Sequence, residues 1–556
     1  MIRLADAMPS CGAVSLGMPA DGHAACAFNA HPDDRGECVS VAAGPHVTSE
    51  LTHRLRRHLA AQVGAEGRLH CPCRSRVLES ALALRLLETE RGHEQSRSRL
   101  RAFLATATTH NSATPLDRTL ADGALRRASR TGREVEVLSG FEHHTAVRKR
   151  MLLDTLLYLT GARDRLPRRE AVAFAAGDLH SWKQPEMVAC HLIHVHAHSA
   201  AEEGTSLLLE PLAAALRGGI IHERNHLSHL LYLFALRPYP QYRDLVGTGL
   251  ERLLTTQGAD GGFSLSRDID TWVTSVAGLA LAEAGADPLL LDRMCDWLGD
   301  QQADDGGWAF TPGVTQTDTD TTYTVLKLMH RHASHRHADA LDRGRAYLLR
   351  MQNPDGGWPV YRHGNPSEAA MTGGALSVLS DGPHSNAVSL TAGAFWLTRN
   401  QQRDGTFERG WSLSEGNALF RAVHGLSAVL DRHLLTAEAV RHARRTLSRA
   451  TTYIHDTQNP DGGWGHQRDR SSDPISTGYA LAAIGHRGPV ATLHAALGYL
   501  MSHQQSDGGF ASAPDTVSPR PIPLDLPALA PAYVLRGLAH AFPGTGPTCV
   551  QSTASR

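Results

Sequence analysis

The chain has 556 residues, of which 42% are hydrophobic and 20% charged, so it is a globular protein too long for one hydrophobic core. Its 55 basic and 56 acidic residues give a net charge of −1, without the overall basic excess that is typical of nucleic-acid binding. No apolar run is long enough to span a bilayer, the N-terminus has no signal-peptide pattern and the cysteines are scattered, so we expect a cytoplasmic protein with reduced thiols.

The first part of the chain contains irregular helices behind a flexible lead. Residues 1–46 are rich in Gly, Ala, Pro, His and Asp and show no sustained period, which predicts a flexible segment. Residues 47–245 have helical periodicity with less regular spacing. Within them, LTHRLRRHLAAQVGAEGRL at 51–69, followed by RVLESALALRLLE at 76–88, predicts a helix, a turn and a second helix.

A repeat organises residues 246–545, and residues 546–556 form a tail that we predict to be flexible. The phrase Gln-x-x-x-Gly-x-aromatic recurs at intervals of about 50 residues. In each copy an apolar helix leads to the Gln, a Gly-containing turn follows, and another apolar helix begins after a polar loop. Such helix pairs must stack, either as an open solenoid or as a closed two-layered ring. The copies are QGADGGF (257–263), QADDGGW (302–308), QNPDGGW (352–358), QQRDGTF (401–407), QNPDGGW (458–464) and QQSDGGF (504–510).

This phrase resembles the QW motif of the terpene cyclase and squalene cyclase superfamily. The resemblance implies an all-α fold with two α/α-barrel domains, a γ-like domain at 47–245 followed by a β-like (α/α)6 barrel at 246–545. It leaves open whether the first helix of the γ-like segment belongs to the barrel. In this superfamily the Gln and Trp staple the outer helices, with the ring stacked on the amide. That role falls here on Gln302 and Trp308, Gln352 and Trp358, and Gln458 and Trp464.

The second repeat opens its inner helix with DTDTTY at 318–323. Taken alone, an acid at this place is most often a helix N-cap, and the other repeats also carry acidic or hydroxyl residues there. The stretch resembles the D-x-D-D motif of class II terpene cyclases, in which the middle aspartate is the Brønsted acid. That resemblance implies that Asp320 protonates an alkene, while Asp318 favours retention of its proton, since two close carboxylates resist ionising together. Thr321, in place of the family's last acid, and Thr322 would orient the acid through hydrogen bonds.

A cyclase also needs a cavity for a carbocation and a site for its diphosphate. Aromatic faces stabilise a cation through their quadrupole, although core packing explains each aromatic equally well. Basic side chains could bind a diphosphate, although surface exposure explains single cations as well. The resemblance further implies Mg²⁺ between the phosphates and an acid of the first domain. The candidates are Trp272, Tyr323, Tyr361, Phe395, Trp396 and Trp411 for the cation, Arg148, Lys149, Arg150 and Lys183 for the diphosphate, and Asp178 and Glu186 for Mg²⁺.

These patterns predict a class II terpene cyclase that protonates a linear prenyl diphosphate and keeps the diphosphate on its product. The D-x-D-T-T variant resembles that of bacterial cyclases that convert farnesyl diphosphate to a bicyclic, drimane-type diphosphate. Farnesyl diphosphate is therefore the first choice of substrate, geranylgeranyl diphosphate the second and squalene the third. A helical scaffold without activity is the alternative from another class.

One motif favours a different enzyme. Residues 222–226 read H-E-R-N-H, which matches the H-E-x-x-H signature of zinc proteases. A third ligand at the usual spacing is missing, and a protease would leave the six repeats unexplained. We therefore interpret this match as accidental.

Overall fold

The computed structural model describes residues 45–109, 113–127, 146–168, 179–198, 205–382 and 386–543. These parts of the chain are helical, with isolated β-bridges and no continuous strand. The predicted lead lies outside the described residues except at its end, where the first helix begins, and the predicted tail lies outside them entirely. None of the described helices is both long and apolar enough to cross a membrane. The helices are α1 (Pro45–Ala60), α2 (Val77–Leu87), α3 (Glu94–Ala107), α4 (Pro115–Ala124), α5 (Ala146–Thr160), α6 (Lys183–Ala197), α7 (Thr205–Arg217), α8 (His226–Leu236), α9 (Arg243–Leu254), α10 (Asp270–Glu283), α11 (Pro288–Gly299), α12 (Thr319–His332), α13 (Ala338–Met351), α14 (Ala369–Leu379), α15 (Ala387–Asn400), α16 (Glu415–Asp431), α17 (Ala437–Asp456), α18 (Pro474–Ile484), α19 (Val490–His503) and α20 (Leu529–Ala541).

Six helices form a closed inner ring. α10, α12, α14, α16, α18 and α20 each pack against the next, and α20 packs against α10. The outer helices α11, α13, α15, α17 and α19 pack behind this ring, and α1 takes the sixth outer place against α20 and α10. The predicted (α/α)6 toroid is therefore confirmed, and it includes the first described helix of the chain.

The burial of each helix follows from its place in the ring. Every residue of the inner helix α14 is buried, because neighbours cover it on all sides. The outer helix α17 buries one stripe, which runs from Ala439 to Ile454. The inner helices approach closely where glycines meet a neighbour: a Cβ on Gly373 of α14 would lie 2.4 Å from the carbonyl oxygen of Arg421 on α16. This close crossing sets the position of Arg421 in the ring.

Helices α2 to α9 form a second group. α2, α5, α6 and α8 contact one another in a smaller ring, and α3, α4, α7 and α9 pack around them. The loop of the first repeat joins this group, since the Phe263 N–H donates to Ser80 Oγ of α2 at 2.8 Å and Gln257 Nε2 to Ser96 O of α3 at 3.4 Å. The inner ring continues at α10 after this group. The division into two domains stays a prediction.

Hydrogen bonds connect the second to fifth repeats to the next outer helix. Gln352 Nε2 donates to Gly356 O in its own turn and to Ser389 O in the first turn of α15, both at 2.9 Å. Trp358 Nε1 donates to Leu348 O at 2.7 Å, and the Trp358 side chain is buried. The same bond from Gln to the next outer helix occurs between Gln302 and Ala340, Gln401 and Thr446, and Gln458 and Thr492.

The last repeat uses the same bond to close the outer layer. Gln504 Nε2 donates to Gly508 O at 2.9 Å and to Leu51 O of α1 at 3.3 Å. The final turn of the toroid is thereby joined to the first described helix, which lies more than 400 residues earlier in the chain (504 − 51 = 453).

We expect Gln352→Ala to lower the free energy of unfolding by about 1–3 kcal/mol, because two hydrogen bonds worth about 0.5–1.5 kcal/mol each are lost. Since the change lies in the outer layer, turnover by the folded protein should stay unchanged. Urea unfolding followed by circular dichroism measures the free energy. Gln505→Ala, at an exposed glutamine, is the control, and equal stability of the two variants would contradict the stapling role.

Candidate active site

Asp318 is the N-cap of α12. Its Oδ1 accepts a hydrogen bond from the Thr321 N–H at 2.6 Å, and its Oδ2 accepts one from Thr321 Oγ1 at 2.9 Å. Burial raises the pKa of Asp318 to about 8, against the lowering effect of the Thr321 bonds and with a further rise from the charge of Asp320. Asp318 therefore holds a proton at neutral pH, whereas the prediction gave the retained proton to Asp320 and made Asp318 the neighbour that favours it.

Thr321 and Thr322 have different tasks. Thr321 makes the predicted contact with the acid pair, because both of its hydrogen bonds go to Asp318. Thr322 Oγ1 instead accepts from the Trp308 N–H at 2.9 Å. Trp358 and Trp464 make the same bond to a threonine in their own repeats, Thr372 and Thr477. The prediction that Thr322 orients the acid is corrected on this ground, since its hydroxyl belongs to the repeat scaffold.

The threonines that accept these tryptophan N–H bonds occupy equivalent positions, so the helix starts of the repeats can be compared residue by residue. Four residues before the threonine, Asp318 has counterparts in Glu368 and Asp473, so an acid at that position is an ordinary feature of the repeat. Two residues before the threonine, the counterparts of Asp320 are Ala370 and Ile475. Asp320 is therefore the acid that departs from the repeat pattern.

Asp320 forms an ion pair that the sequence did not predict. Arg421 Nη1 on α16 donates to Asp320 Oδ1 at 2.7 Å, with side-chain exposures of 4% for Arg421 and 15% for Asp320. Burial lowers the pKa of Arg421, but the Asp320 charge and the neighbouring tyrosines together raise it well above its usual value. Tyr323, predicted as a cavity aromatic, lies 5.2 Å from the Arg421 guanidinium and supports this pair. The sequence feature that could have predicted this pair is the charge of Arg421, which interrupts the otherwise apolar stretch ALFRAV of an inner helix.

The two aspartates line a chamber with about 910 Å³ of empty space, part of which is open to solvent. We call it the acid chamber. Of the predicted aromatics, Trp272, Tyr361 and Trp411 lie in its wall. Other lining residues are Trp182, Arg224, Phe310, Met371, Asn417, Arg421, Tyr479 and Asp515.

A second chamber of about 920 Å³ adjoins the first, and we call it the cation chamber. Trp182, Tyr361 and Trp411 line both chambers and form an aromatic boundary between them. The Tyr361 ring lies 5.0 Å from Trp182 and 5.4 Å from Trp411 by ring centroids. Of the predicted diphosphate ligands, Arg148, Lys149 and Lys183 line this chamber.

Basic side chains outnumber the carboxylates in the wall of the cation chamber. Burial lowers the pKa of His180 far below its usual value, and the cations Lys183 and Arg148 lower it further. Burial, together with Arg520 and Lys183, also lowers the pKa of Lys149 to about 6. Arg520, which the sequence did not predict, stacks 4.1 Å above Trp411 and pairs with Glu368 at 2.7 Å. Such a field favours a multiply charged anion.

Of the two predicted metal ligands, the structure describes the position of one, Glu186. Glu186 is buried in the wall of the cation chamber, where it pairs with Lys183 and accepts from Ser228 Oγ at 2.9 Å. Asp178 lies outside the described residues.

Five of the described residues that were predicted for the site do not line either chamber: Thr322 and Tyr323, which lie beside the acid pair, and Arg150, Phe395 and Trp396. Arg150 is exposed, because it lies about 100° further around α5 than Lys149. Phe395 and Trp396 lie on the outer helix α15, where Phe395 is 40% exposed and Trp396 Nε1 donates to Asp355 Oδ2 at 2.9 Å. The prediction placed these two aromatics near an inner helix, and the structure corrects it.

The H-E-R-N-H stretch helps to position the acid. It does not form one helix, since Glu223 and Arg224 have φ of 50° and 53°. The Glu223 carboxylate accepts from the Thr315 N–H at 2.9 Å and from the Thr315 hydroxyl. This residue of the second helical group thereby holds the loop that leads to Asp318.

Comparisons with known proteins agree with this architecture. The model of the prenyltransferase alpha-alpha toroid domain matches residues 241–412 and 363–514. A drimenyl diphosphate synthase of Streptomyces showdoensis is 39% identical over 505 residues, covering 88% of this chain and 93% of that protein. One of Streptantibioticus cattleyicolor is 40% identical over 513 residues, covering 89% and 94%. The fold is similar to that of ent-copalyl diphosphate synthase from Streptomyces platensis, at a TM-score of 0.56, 16% identity and coverage of 89% and 99%.

Because burial raises the pKa of Asp318 to about 8, Asp318→Asn should change how stability depends on pH. The folded protein keeps this proton to a higher pH than the unfolded chain. Its stabilising contribution is therefore complete below about pH 4 and is lost as the pH rises towards 8. Relative to the wild type, Asp318→Asn should gain up to about 1.4 kcal/mol of stability per pH unit across that window. Denaturant unfolding at several pH values measures this difference.

The control for this experiment is Asp287→Asn. Asp287 is the exposed N-cap of α11 and accepts from the Leu289 N–H at 3.1 Å. Its variant should follow the wild-type pH dependence. A difference between Asp318→Asn and the wild type that does not change with pH would contradict the raised pKa.

Proposed function

The chain belongs to the class II terpene cyclases, in the family of the drimenyl diphosphate synthases, and on that premise we propose that it converts farnesyl diphosphate to drimenyl diphosphate. The observation that carries the proposal is the pair of adjoining chambers, one acidic and one cationic. A prenyl diphosphate fits this division with its diphosphate among the cations and its hydrocarbon chain in the acid chamber. The diphosphate then remains bonded to the product.

Asp320 delivers the proton in this proposal. Burial raises the pKa of Asp318 to about 8, so Asp318 keeps a proton at neutral pH and can pass it to the neighbouring Asp320. Delivery goes through Asp320, because it is the more exposed member and Thr321 holds the Asp318 carboxyl. The proton adds to the distal double bond of the substrate, and the resulting tertiary cation is attacked by the next two double bonds in turn. Arg421 stabilises the carboxylate that remains on Asp320.

The acid chamber stabilises the migrating positive charge. Trp272, Phe310, Tyr361 and Trp411 present aromatic rings in its wall, where a cation within about 6 Å of a ring centroid is attracted by the ring quadrupole. The apolar wall also keeps water from capturing the cation before the rings close. Thr321 occupies the place of the family's last acid and replaces a charge by a hydrogen bond to Asp318.

The cation chamber fits a diphosphate with Mg²⁺. Mg²⁺ prefers oxygen ligands and is commonly held by one or two carboxylates together with substrate phosphates. Glu186 supplies one buried carboxylate beside Lys183, and Asp178 remains a second predicted ligand. The ion would neutralise part of the diphosphate charge, while Arg148, Lys149, Lys183 and Arg520 hold the remaining oxygens.

The proposed function is tested by incubating the purified protein and Mg²⁺ with farnesyl diphosphate, geranylgeranyl diphosphate or squalene. Products are dephosphorylated where necessary and identified by gas chromatography and mass spectrometry. We expect a bicyclic product from farnesyl diphosphate, and Asp320→Asn should lower the rate by about 10³-fold or more, because no acid remains at that position. A lack of cyclised product from every substrate would rule the function out.

Asp339→Asn is the matched control for Asp320→Asn. Asp339 is the second residue of α13, as Asp320 is of α12, but its side chain is exposed on the outer layer. Its variant should keep the wild-type rate. Wild-type activity of Asp320→Asn would instead remove Asp320 from the role of acid.

Binding of inorganic diphosphate should be accompanied by proton uptake at Lys149. With a pKa of about 6, this lysine is mostly neutral at about pH 7.5, and a bound anion raises that pKa. Isothermal titration calorimetry with Mg²⁺, in two buffers of different ionisation enthalpy, counts the protons. Lys149→Met should take up to about one proton fewer than the wild type.

The same titration includes a control variant and a metal-free arm. Arg150→Met changes the exposed neighbouring cation and should leave the proton uptake unchanged. Removal of Mg²⁺ with EDTA should weaken binding in the wild type and have a smaller effect in Glu186→Gln. Identical proton uptake by Lys149→Met and the wild type would place the diphosphate elsewhere.

A further inference from the structure

Cyclisation ends when the last carbocation loses a proton, and the acid chamber contains a second group suited to that step. This inference rests on the proposed function. We propose that Tyr479 and Asp515 form the base that takes the terminal proton. Both side chains line the acid chamber together with Asp320.

The closed ring places the two proton-transfer sites on opposite sides of the chamber. Asp320 lies on α12 and Tyr479 on α18, and these helices are three places apart in the ring of six. Asp515 lies beside the aromatic boundary, because the Val517 N–H donates to Trp411 O at 3.1 Å and Ser412 Oγ donates to Asp515 Oδ1 at 2.7 Å. When the diphosphate of the substrate lies beyond the aromatic boundary, in the cation chamber, the ring that forms last lies close to that boundary. The first protonation occurs at the other end of the chain.

Hydrogen bonds prepare this pair to accept a proton. Tyr479 Oη donates to Asp515 Oδ2 at 2.9 Å. The Asp515 side chain is 1% exposed and accepts from Ser412 Oγ and the Ser414 N–H, both neutral donors. Its nearest ion-pair partner among the described residues is His466, at 3.9 Å.

The other carboxylates of the chamber are less suited to this step. Asp318 already carries a proton at neutral pH, since burial raises its pKa to about 8. Asp320 is paired with Arg421 at 2.7 Å and lies on the opposite helix. Of the described aspartates that line the chamber, Asp515 is the one that accepts a hydrogen bond from a tyrosine hydroxyl.

The step balances as a proton relay. A C–H bond next to the cationic carbon breaks, and its electron pair forms the ring double bond. The proton passes to Tyr479 Oη as the phenolic proton passes to Asp515 Oδ2. Burial and the Asp515 charge raise the pKa of Tyr479 well above its usual value, so the phenol relays a proton without standing as phenolate. Asp515 then releases the proton through His466, whose side chain is 19% exposed, and the acid pair regains one from solvent.

Tyr479→Phe is the decisive variant, because it removes the hydroxyl and keeps the ring. That ring stacks on Phe420 with centroids 5.3 Å apart and an interplanar angle of 9°, and it contacts Tyr533 at 4.5 Å. A merely structural tyrosine would tolerate this change. With farnesyl diphosphate, we expect Tyr479→Phe and Asp515→Asn to consume substrate. The ratio of the wild-type alkene to isomeric alkenes and water-captured, hydroxylated diphosphates should fall by about tenfold or more.

Tyr453→Phe is the matched control. Tyr453 also donates its hydroxyl to a carboxylate, that of Glu415, but it does not line the acid chamber. Its products should equal those of the wild type, and thermal unfolding midpoints establish that all variants are folded.

Three results would count against the pair. Wild-type products at the wild-type rate from Tyr479→Phe would overturn it, and so would a uniformly slower rate with unchanged products, which indicates a packing role. Failure of the wild type itself to form a bicyclic diphosphate would overturn the proposed function and the inference together. The first two results leave the proposed function intact.

Discussion

Closure of the six-helix ring, through the packing of α20 against α10, is the constraint on which the rest of the structure depends. An inner helix of a closed ring is covered by two inner neighbours and the outer layer, so its middle must be apolar. The acid pair lies at a helix start, and the buried cation that it faces, Arg421, lies within the next inner helix but one. The starts of α10, α12, α14 and α16 border one chamber, together with Tyr479 of α18. The outer hydrogen bonds from Gln352, Gln504 and their counterparts hold this arrangement together.

Burial inside this ring gives the acid pair its chemistry. A carboxyl at an exposed helix start would be an ionised cap, stabilised by the helix dipole. Asp318 keeps the cap geometry, but the loss of solvent raises its pKa to about 8. The same desolvation strengthens the attraction between Asp320 and Arg421. The N-cap residue Asp318 therefore keeps a proton at neutral pH. It lies beside Asp320, whose carboxylate is paired with Arg421.

The second helical group contributes charge and alignment to the same site. Arg148, Lys149 and Lys183 come from α5 and α6, whereas Arg520 comes from a loop of the toroid. Glu223 holds the loop that precedes Asp318. The boundary of Trp182, Tyr361 and Trp411 separates the cationic region from the acid, and this separation suits a substrate that keeps its diphosphate while its far end is protonated. The base assigned to Tyr479 and Asp515 adds a second proton-transfer site on the opposite wall.

The sequence by itself determined the features that depend on local periodicity. The repeats predicted helix pairs, DTDTT predicted a capped inner helix with a doubled acid, and resemblance in the same stretches predicted the toroid and the enzyme class. Only the tertiary structure decided which distant side chains meet. Arg421 lies 101 residues from Asp320, and Arg520 lies 152 residues from Glu368. Similarly, only the orientation of α5 and α15 in the fold shows that Arg150, Phe395 and Trp396 do not line the chambers. The reason is physical: a period reports which face of one helix is apolar, whereas ring closure determines which helix starts share a cavity and how strongly burial shifts their charges.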